Sequence, residues 1–488
     1  MQGARVAAAA TARALRLVAA WLRRVGPLLR PSAIWRRLSA SQQLIAKNIL
    51  VGILIAVAIH RWNHITPVVG LQDAAMDVMM QVSQNLPRMR PAILGGAPIG
   101  YTFLDIDEDT YRTWGEPLYT PRDKLLRLIQ FAADGGAAVL VVDVDLSRRG
   151  FNAEHDAALT AFLQKRASRK EGTPIVLMRS FHPRADRTTV EFTSEVRRSF
   201  LDEYLEWTAM PWAQPLFRRT VSDGIVRYWQ MIAPACLNGR PVVVPSAQLV
   251  AFIGLLKWRG DDAAASAARS AVSALAPAAC DKSAATLMPV NKTLQLGPHR
   301  IQLGQDAGIG ERIIYTVSWN PGQVPDLLSV PARLVTESTA PLSSEAVAGR
   351  VVVIGASYAD SGDLHQTPLG LMPGALIIVN ATKSLASFGQ IAEPPTVVRW
   401  AVELVLIVGT ALAFSRLGSV LGTLTSTIAI VALLVPLSFY FFKFGVWVDF
   451  AVPLLAMSLH LILESFEKKD HHPPPGETSA TGPGGQRG

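Results

Sequence analysis

Residues 99–145 read IGYTFLDIDEDTYRTWGEPLYTPRDKLLRLIQFAADGGAAVLVVDVD. Two apolar runs, at 99–107 and 137–145, flank a segment whose Leu125, Leu128, Ile129 and Ala132 recur with the period of one helix face. Continuous Val/Ile/Leu runs of this length suit strands covered on both sides, and Gly135 and Gly136 stop the helix before the second strand. The stretch therefore predicts strand, crossover helix and parallel strand. TPIVLMRS (173–180), RVVVIGAS (350–357) and ALIIVN (375–380) predict further strands of the same kind. The expected fold class is an α/β domain on a largely parallel sheet. The Arg-rich segment 181–220 and the long, irregular, Ala-rich segment 257–300 read as excursions from that sheet rather than separate domains.

Outside this domain the chain is strongly apolar. Half of its 488 residues are apolar and its mean hydropathy is positive, which points to a membrane component. Leu44–His60 is about one bilayer span, with Lys47 placed to snorkel to the headgroups. It reads as an anchor; the alternative, a cleaved signal peptide, lacks a convincing small-residue cleavage site. Three further spans are expected at Val397–Phe414, Val420–Phe442 and Trp447–Leu463. The complete expectation is four transmembrane helices, one N-terminal and three C-terminal.

The formal charge of +9 lies mostly in a tail: eight arginines precede residue 40, and no acidic residue appears before Asp73. No zinc-finger spacing or aromatic-basic signature is present, so nucleic acid is excluded as a partner. The tail is either a solvated topogenic segment or an Ala/Arg/Leu helix lying on an anionic leaflet. By the positive-inside rule it stays in the cytoplasm. The layout expected is a basic tail (1–43), a membrane helix (44–61), an extracytoplasmic domain (62–396), three membrane helices (397–463) and a Pro/Gly-rich cytoplasmic tail (464–488). A transit peptide would share the tail's composition, but this layout favours a bacterial inner membrane with the main domain in the periplasm. Neither tail is expected to form a catalytic domain, so any output is expected on a separate polypeptide.

Cys236 and Cys280, the two cysteines of the chain, both fall in the extracytoplasmic portion. They read either as a disulfide or as two buried thiols. Asp105 and Asp107 end one predicted strand, and Asp143 and Asp145 end the next. Carboxyl ends of neighbouring parallel strands are where open α/β sheets place a ligand crevice, so these four, with Asp363 in a later loop, are candidate ligand-binding residues. Crowded carboxylates suggest a divalent cation, although no particular metal is indicated. His365 reads either as a metal ligand or as a loop hydrogen-bonder. Arg399 and Glu403, one turn apart at the outer end of the second membrane helix, are candidates for transmembrane coupling or form an interfacial ion pair.

Several ordered pieces resemble the second family of CHASE domains, extracellular sensory modules of bacterial cyclases and histidine kinases. FLDIDEDTYRTWGEPLYTPRDKLLRLIQFAADGGAAVLVVDVDLS resembles the family's opening, SDGIVRYW its Asp-Gly-Xaa-Xaa-Arg element, and VVVPSAQL the helix start that follows. GRVVVIGASYADSGDLHQTPLGLMPGALIIVNA resembles its closing motif, through Gly355, Asp363, Thr367, Pro368, Pro373, Gly374 and Asn380. The likeness covers roughly residues 65–390 and extends to the three membrane helices after them. It implies a sensory fold and adds Arg122, Arg227, Thr367 and Asn380 to the candidate ligand-binding residues. Two departures stand out: Glu116-Pro117-Leu118 replaces the Trp-Pro that commonly follows the glycine turn, and residues 464–488 are not expected to form the signalling module that members often carry after the last helix.

The leading functional expectation is a non-enzymatic, membrane-anchored sensor or partner-binding protein that signals through its helices to a separate output protein. It needs no cofactor, and its partners would be other envelope or inner-membrane proteins, with homo-oligomers left open. A structural subunit of an envelope complex is the alternative. A third reading is a magnesium-dependent phosphatase, because VVDVDLS has an Asp-Xaa-Asp-Xaa-Ser pattern that would make Asp143 a nucleophile and Asp145 an acid/base.

Overall fold

The computed structural model describes residues 38–61, 66–85, 99–169, 172–185, 192–196, 198–204, 211–238, 240–276, 292–303, 308–319, 326–339, 342–451 and 453–456. Residues 1–37 of the basic tail, the C-terminal tail and Cys280 lie outside the described residues. Two compact units emerge: Gln72–Pro394 with Pro436–Val448, and the remaining segments Met1–Leu71, Pro395–Val435 and Asp449–Gly488.

Among the described residues the larger unit contains sixteen strands: β1 (Tyr101–Ile106), β2 (Val139–Val142), β3 (Ile175–Met178), β4 (Phe181–Ala185), β5 (Phe192–Val196), β6 (Trp212–Ala213), β7 (Phe217–Arg219), β8 (Val226–Trp229), β9 (Ile232–Leu237), β10 (Arg240–Pro245), β11 (Lys292–Leu296), β12 (His299–Leu303), β13 (Leu327–Pro331), β14 (Val351–Ala356), β15 (Leu364–Thr367) and β16 (Gly370–Pro373). The central sheet has the order β13-β1-β14-β2-β3-β6, and every pairing in it is parallel. A second sheet, β10-β9-β5-β4, and three hairpins surround it.

The helices are α1 (Ala40–Arg61), α2 (Thr66–Asn85), α3 (Glu108–Thr113), α4 (Arg122–Asp134), α5 (Ala153–Ala167), α6 (Ala247–Trp258), α7 (Asp262–Ser273), α8 (Ala332–Thr336), α9 (Gly374–Phe388) and α10 (Thr396–Phe442). α4 is the expected crossover helix. Its stripe of Leu125, Leu128, Ile129 and Ala132 is fully buried, each large side chain contributing about 2 kcal/mol, and Gly135 caps it. The stripe meets Leu104, Ile106, Leu140, Val142, Val352 and Ile354 on one face of the sheet. Alternation turns Phe103, Val141 and Val353 to the other face, where α6 and α9 pack. The sheet is thus covered on both sides, which explains its unbroken apolar strands.

Three expectations need correction. ALIIVN is not a strand but the first half of α9. A helix buried on nearly every side shows the same continuous apolar run as a buried strand, and α9 is enclosed by the sheet and α6. The Ala-rich segment is not wholly irregular: it holds α7 and the β11-β12 hairpin. The Arg-rich segment returns to the main sheet as β6.

The smaller unit holds apolar helices. Among the described residues three helices are long and apolar enough to cross a membrane: Ala40–Ile59, Thr396–Gly418 and Leu424–Phe442. The latter two are the halves of α10, separated where Gly418 takes a left-handed φ of 75°. Small residues allow close packing there. A Cβ on Gly52 would lie 2.8 Å from Ile407 Cγ2, and one on Gly422 would lie 2.9 Å from Phe414 Cα. Of the fourth expected span, 447–463, residues 452 and 457–463 fall outside the described residues.

Candidate functional site

At the carboxyl end of the sheet, β14 lies between β1 and β2, so Gly355 sits between two aspartates. Asp105 of β1 is in register with Gly355, and the Asp143 N–H donates to Ile354 O at 2.8 Å. Strand spacing puts the two aspartate backbones roughly 10 Å apart. Alternation sends Asp105, Gly355 and Asp143 to the face covered by α9. A Cβ on Gly355 would stand 2.5 Å from Ala375 Cβ and 3.7 Å from Asp143 Cβ. The glycine therefore lets the N-terminus of α9 press onto the sheet between the two acids.

Asp363 completes the group from the loop beyond β14. Its carbonyl accepts the Gly374 N–H at 2.9 Å, and a Cβ on Gly374 would fall 2.4 Å from its carboxylate. His365 Nε2 lies 3.0 Å from Asp363 Oδ1, and Arg219 Nη2 lies 2.8 Å from His365 Nδ1. A guanidinium can only donate, so Nδ1 accepts and Nε2 donates to Asp363. His365, on β15, is a hydrogen-bonder in this arrangement.

The electrostatics of the crevice are those of acids short of cations. Burial pushes the Asp105 carboxyl up to about 7; the Ser357 hydroxyl, donating at 2.6 Å, pulls against it, and nearby Asp107 adds to it. Asp143 is raised well above the ordinary carboxylate range by burial and then by the negative charge of Asp363. Among the described residues no three acidic, histidine or cysteine side chains form a group able to hold a metal ion.

Residues 51–418 match the CHASE2 domain. The chain belongs to the CHASE2 family. This is a sensory rather than a catalytic domain, and its apolar helices fit a membrane protein. No curated protein and no solved structure matches the chain.

The other predicted residues of the CHASE2 domain do not gather at this crevice. Asp107 caps α3, accepting from Thr110 N at 2.9 Å and from the Thr110 hydroxyl at 2.5 Å. Asp145 is exposed and accepts the Ser147 N–H at 2.8 Å, unlike the acid/base partner of Asp143 that the phosphatase reading requires. Arg122 is buried; it donates to Arg148 O at 3.0 Å and faces Asp156 at 3.7 Å, holding the loop before α5. Thr367 closes the β15-β16 turn, its hydroxyl donating to Gly370 O at 2.7 Å. Asn380 is buried in α9, where its amide accepts from Thr316 N and Val317 N and donates to Val317 O and Leu376 O, all at 2.9 Å. Cys236 is disulfide-bonded, and its expected partner Cys280 lies outside the described residues. Arg399 and Glu403 occupy the first turns of α10, and Glu403 lines a mainly apolar cleft with Asn48, Gly52 and Thr410.

Arg227 belongs to a second charged cluster that sequence reading largely missed. Its Nε donates to Asp77 at 2.9 Å and its Nη1 donates to Asp223 and Thr220, each at 2.9 Å. Arg312 bonds both Asp73 and Asp77, and the Tyr228 hydroxyl donates to Asp73. Burial pushes Asp77 upward while Arg227 and Arg312 pull it down. Burial also works against the Arg227 charge, but Asp223 and Asp77 outweigh it and hold the guanidinium above its ordinary range. The cluster clamps α2 to β8 and to the segment at Arg312. Asp73 and Asp77, four residues apart in the otherwise apolar run DAAMDVMM (73–80), were the signal available in the sequence.

Proposed function

We propose that this CHASE2 protein is a membrane-anchored sensor whose carboxyl-end crevice detects a ligand and whose α9 relays the state toward the membrane helices and on to a separate output protein. The supporting observation is the course of α9. It begins against Asp363 and Gly355, and its last turn lies on the loop after α10, where a Cβ on Gly445 would stand 2.9 Å from Phe388 Cβ. Just beyond, Ala392 N donates to Gly445 O and Trp447 N donates to Ala392 O, both at 2.9 Å. The last turns of α10, from Pro436, belong to the same compact unit as the crevice, and Ser438 Oγ there lies 3.5 Å from Met79 Sδ of α2. One helix thus reaches from the candidate site to the end of a candidate membrane span.

In this reading the basic tail stays cytoplasmic, four helices cross a bacterial inner membrane, and the domain between them, about 62–396, is periplasmic. The bonded state of Cys236 supports an oxidising compartment, with Cys280 as the proposed partner. Arg399 and Glu403 are the proposed contact with the output protein. Photo-cross-linking from position 399 or 403 in living cells tests this. The same membrane protein should be captured from the native chain, and its yield should change at least several-fold when Gly355→Val displaces α9. Absence of a cross-linked partner, or a yield indifferent to Gly355→Val in a folded variant, would overturn the relay and leave the domain a docking platform.

A further inference from the structure

We propose that the ligand detected at this crevice is the proton: Asp143 takes it up and releases it to solvent beside Asp363, and repulsion between the two ionised carboxylates at the N-terminus of α9 is the signal. The inference rests on the sensor reading above and names its ligand.

Three geometric observations carry it. First, Asp143 is only partly open to solvent, and none of the described residues donates a hydrogen bond to its carboxylate. A carboxylate enclosed without donors is costly when ionised and becomes stable on protonation. Second, Asp363 stands beside it at the N-terminus of α9, its carbonyl accepting the Gly374 N–H and its carboxylate the His365 N–H. Asp143 is the acid of the pair without such a donor, so the proton is assigned to it. Third, Gly355 and Gly374 remove the side chains that would keep the acids and α9 apart, so little space is left to absorb a second charge.

Among the described residues the surroundings supply no direct cation. Across β14, Asp105 is bonded by Ser357, with Asp107 turned to α3. On the β3 side, Arg179 is taken by Asp202. Asp145 closes the Ser147 turn, and Arg219 reaches Asp363 only through the His365 ring. α6 has no ionisable residue before Lys257, in its last turn, and the only one in α9, Lys383, bonds Asp326 at 2.8 Å. Burial and the charge of Asp363, which raise the Asp143 carboxyl, act in the same direction.

The test is pH-difference infrared spectroscopy of the full chain in lipid nanodiscs, following the carbonyl stretch of protonated carboxyl groups from about pH 5 to about pH 9. The native chain should lose this band as pH rises, Asp143→Asn or Asp143→Ser should remove one component, and Asp363→Asn should lower its midpoint by about one pH unit or more. Two Asp143 variants, each checked by circular dichroism, guard against a folding defect in one. A titration unchanged in both folded variants would overturn the proposal. So would a midpoint moved by millimolar magnesium or calcium as far as by Asp363→Asn, since the crevice would then hold a cation. The cross-linking experiment is run at one pH with a glycine variant. A silent infrared titration with responsive cross-linking thus removes only the proton, whereas the converse removes the relay.

Discussion

Acids at the α2 clamp and acids at the carboxyl end of the sheet are treated oppositely. At the α2 clamp, Asp73 and Asp77 meet Arg227, Arg312 and the Tyr228 hydroxyl, so each carboxylate has cationic or hydrogen-bonding partners. At the sheet end, Asp105 has one hydroxyl, Asp143 faces another acid, and Asp363 has a histidine ring. A compensated cluster has one favoured charge state and acts as a fixed joint. An uncompensated one sits near a change of charge state, and functional sites collect such groups. The clamp therefore holds α2 to the domain, and the crevice is the part free to respond.

Arg312→Leu would break the comparison on the clamp side. It leaves Asp73 and Asp77 buried with one guanidinium between them, and we expect a loss of about 3–5 kcal/mol in denaturant unfolding of the detergent-solubilised chain. At the crevice, Asp105→Asn should have the opposite sign. The folded carboxyl is raised from 3.8 to about 7, so its contribution to stability is complete below 3.8 and is lost as pH rises through about 7. The substitution should stabilise the domain above neutral pH by up to about 4 kcal/mol and flatten melting temperature against pH over that window. Melting curves that fall as steeply in the variant as in the native chain would place the pH dependence elsewhere.

Two smaller effects sharpen the division between core and crevice. Asn380→Leu strands the Thr316 and Val317 N–H groups and should cost about 2 kcal/mol at every pH, since no titrating group is involved. Thr367→Val loses one turn hydrogen bond and should cost about 1 kcal/mol, measured by the same unfolding curves. If either variant altered the pH profile of stability, the residue would belong with the responsive group.

Much of the sheet was legible because β1, α4 and β2 obey local rules: unbroken apolar strands, one buried helical stripe, and glycines at its end. The crevice acids were legible as strand ends. Their grouping was not, because it depends on β14 inserting between β1 and β2, and strand order is not written in any local pattern. Gly355 could be read as a strand-closing glycine, but its position between Asp105 and Asp143 appears only with that order. α9 was misread because its apolar run lacks a polar face to reveal the helical period. The clamp was hidden by distance: Asp77 pairs with Arg227 150 residues away, and Asp73 with Arg312 239 residues away. The bonds of Asn380 and Thr367 hold the core and a turn, partners that no local motif names.

The central claim is that the charge at Asp143 acts through α9 and leaves the clamp untouched. Hydrogen exchange of the full chain in nanodiscs, native against Asp143→Asn at a single pH of about 8, tests it most directly. The account predicts slower exchange in the variant across 374–388 and 443–448, where the repulsion is removed, with exchange across 72–85 unchanged. Identical exchange in α9 and the loop after α10, or a change as large in α2 as in α9, would contradict it.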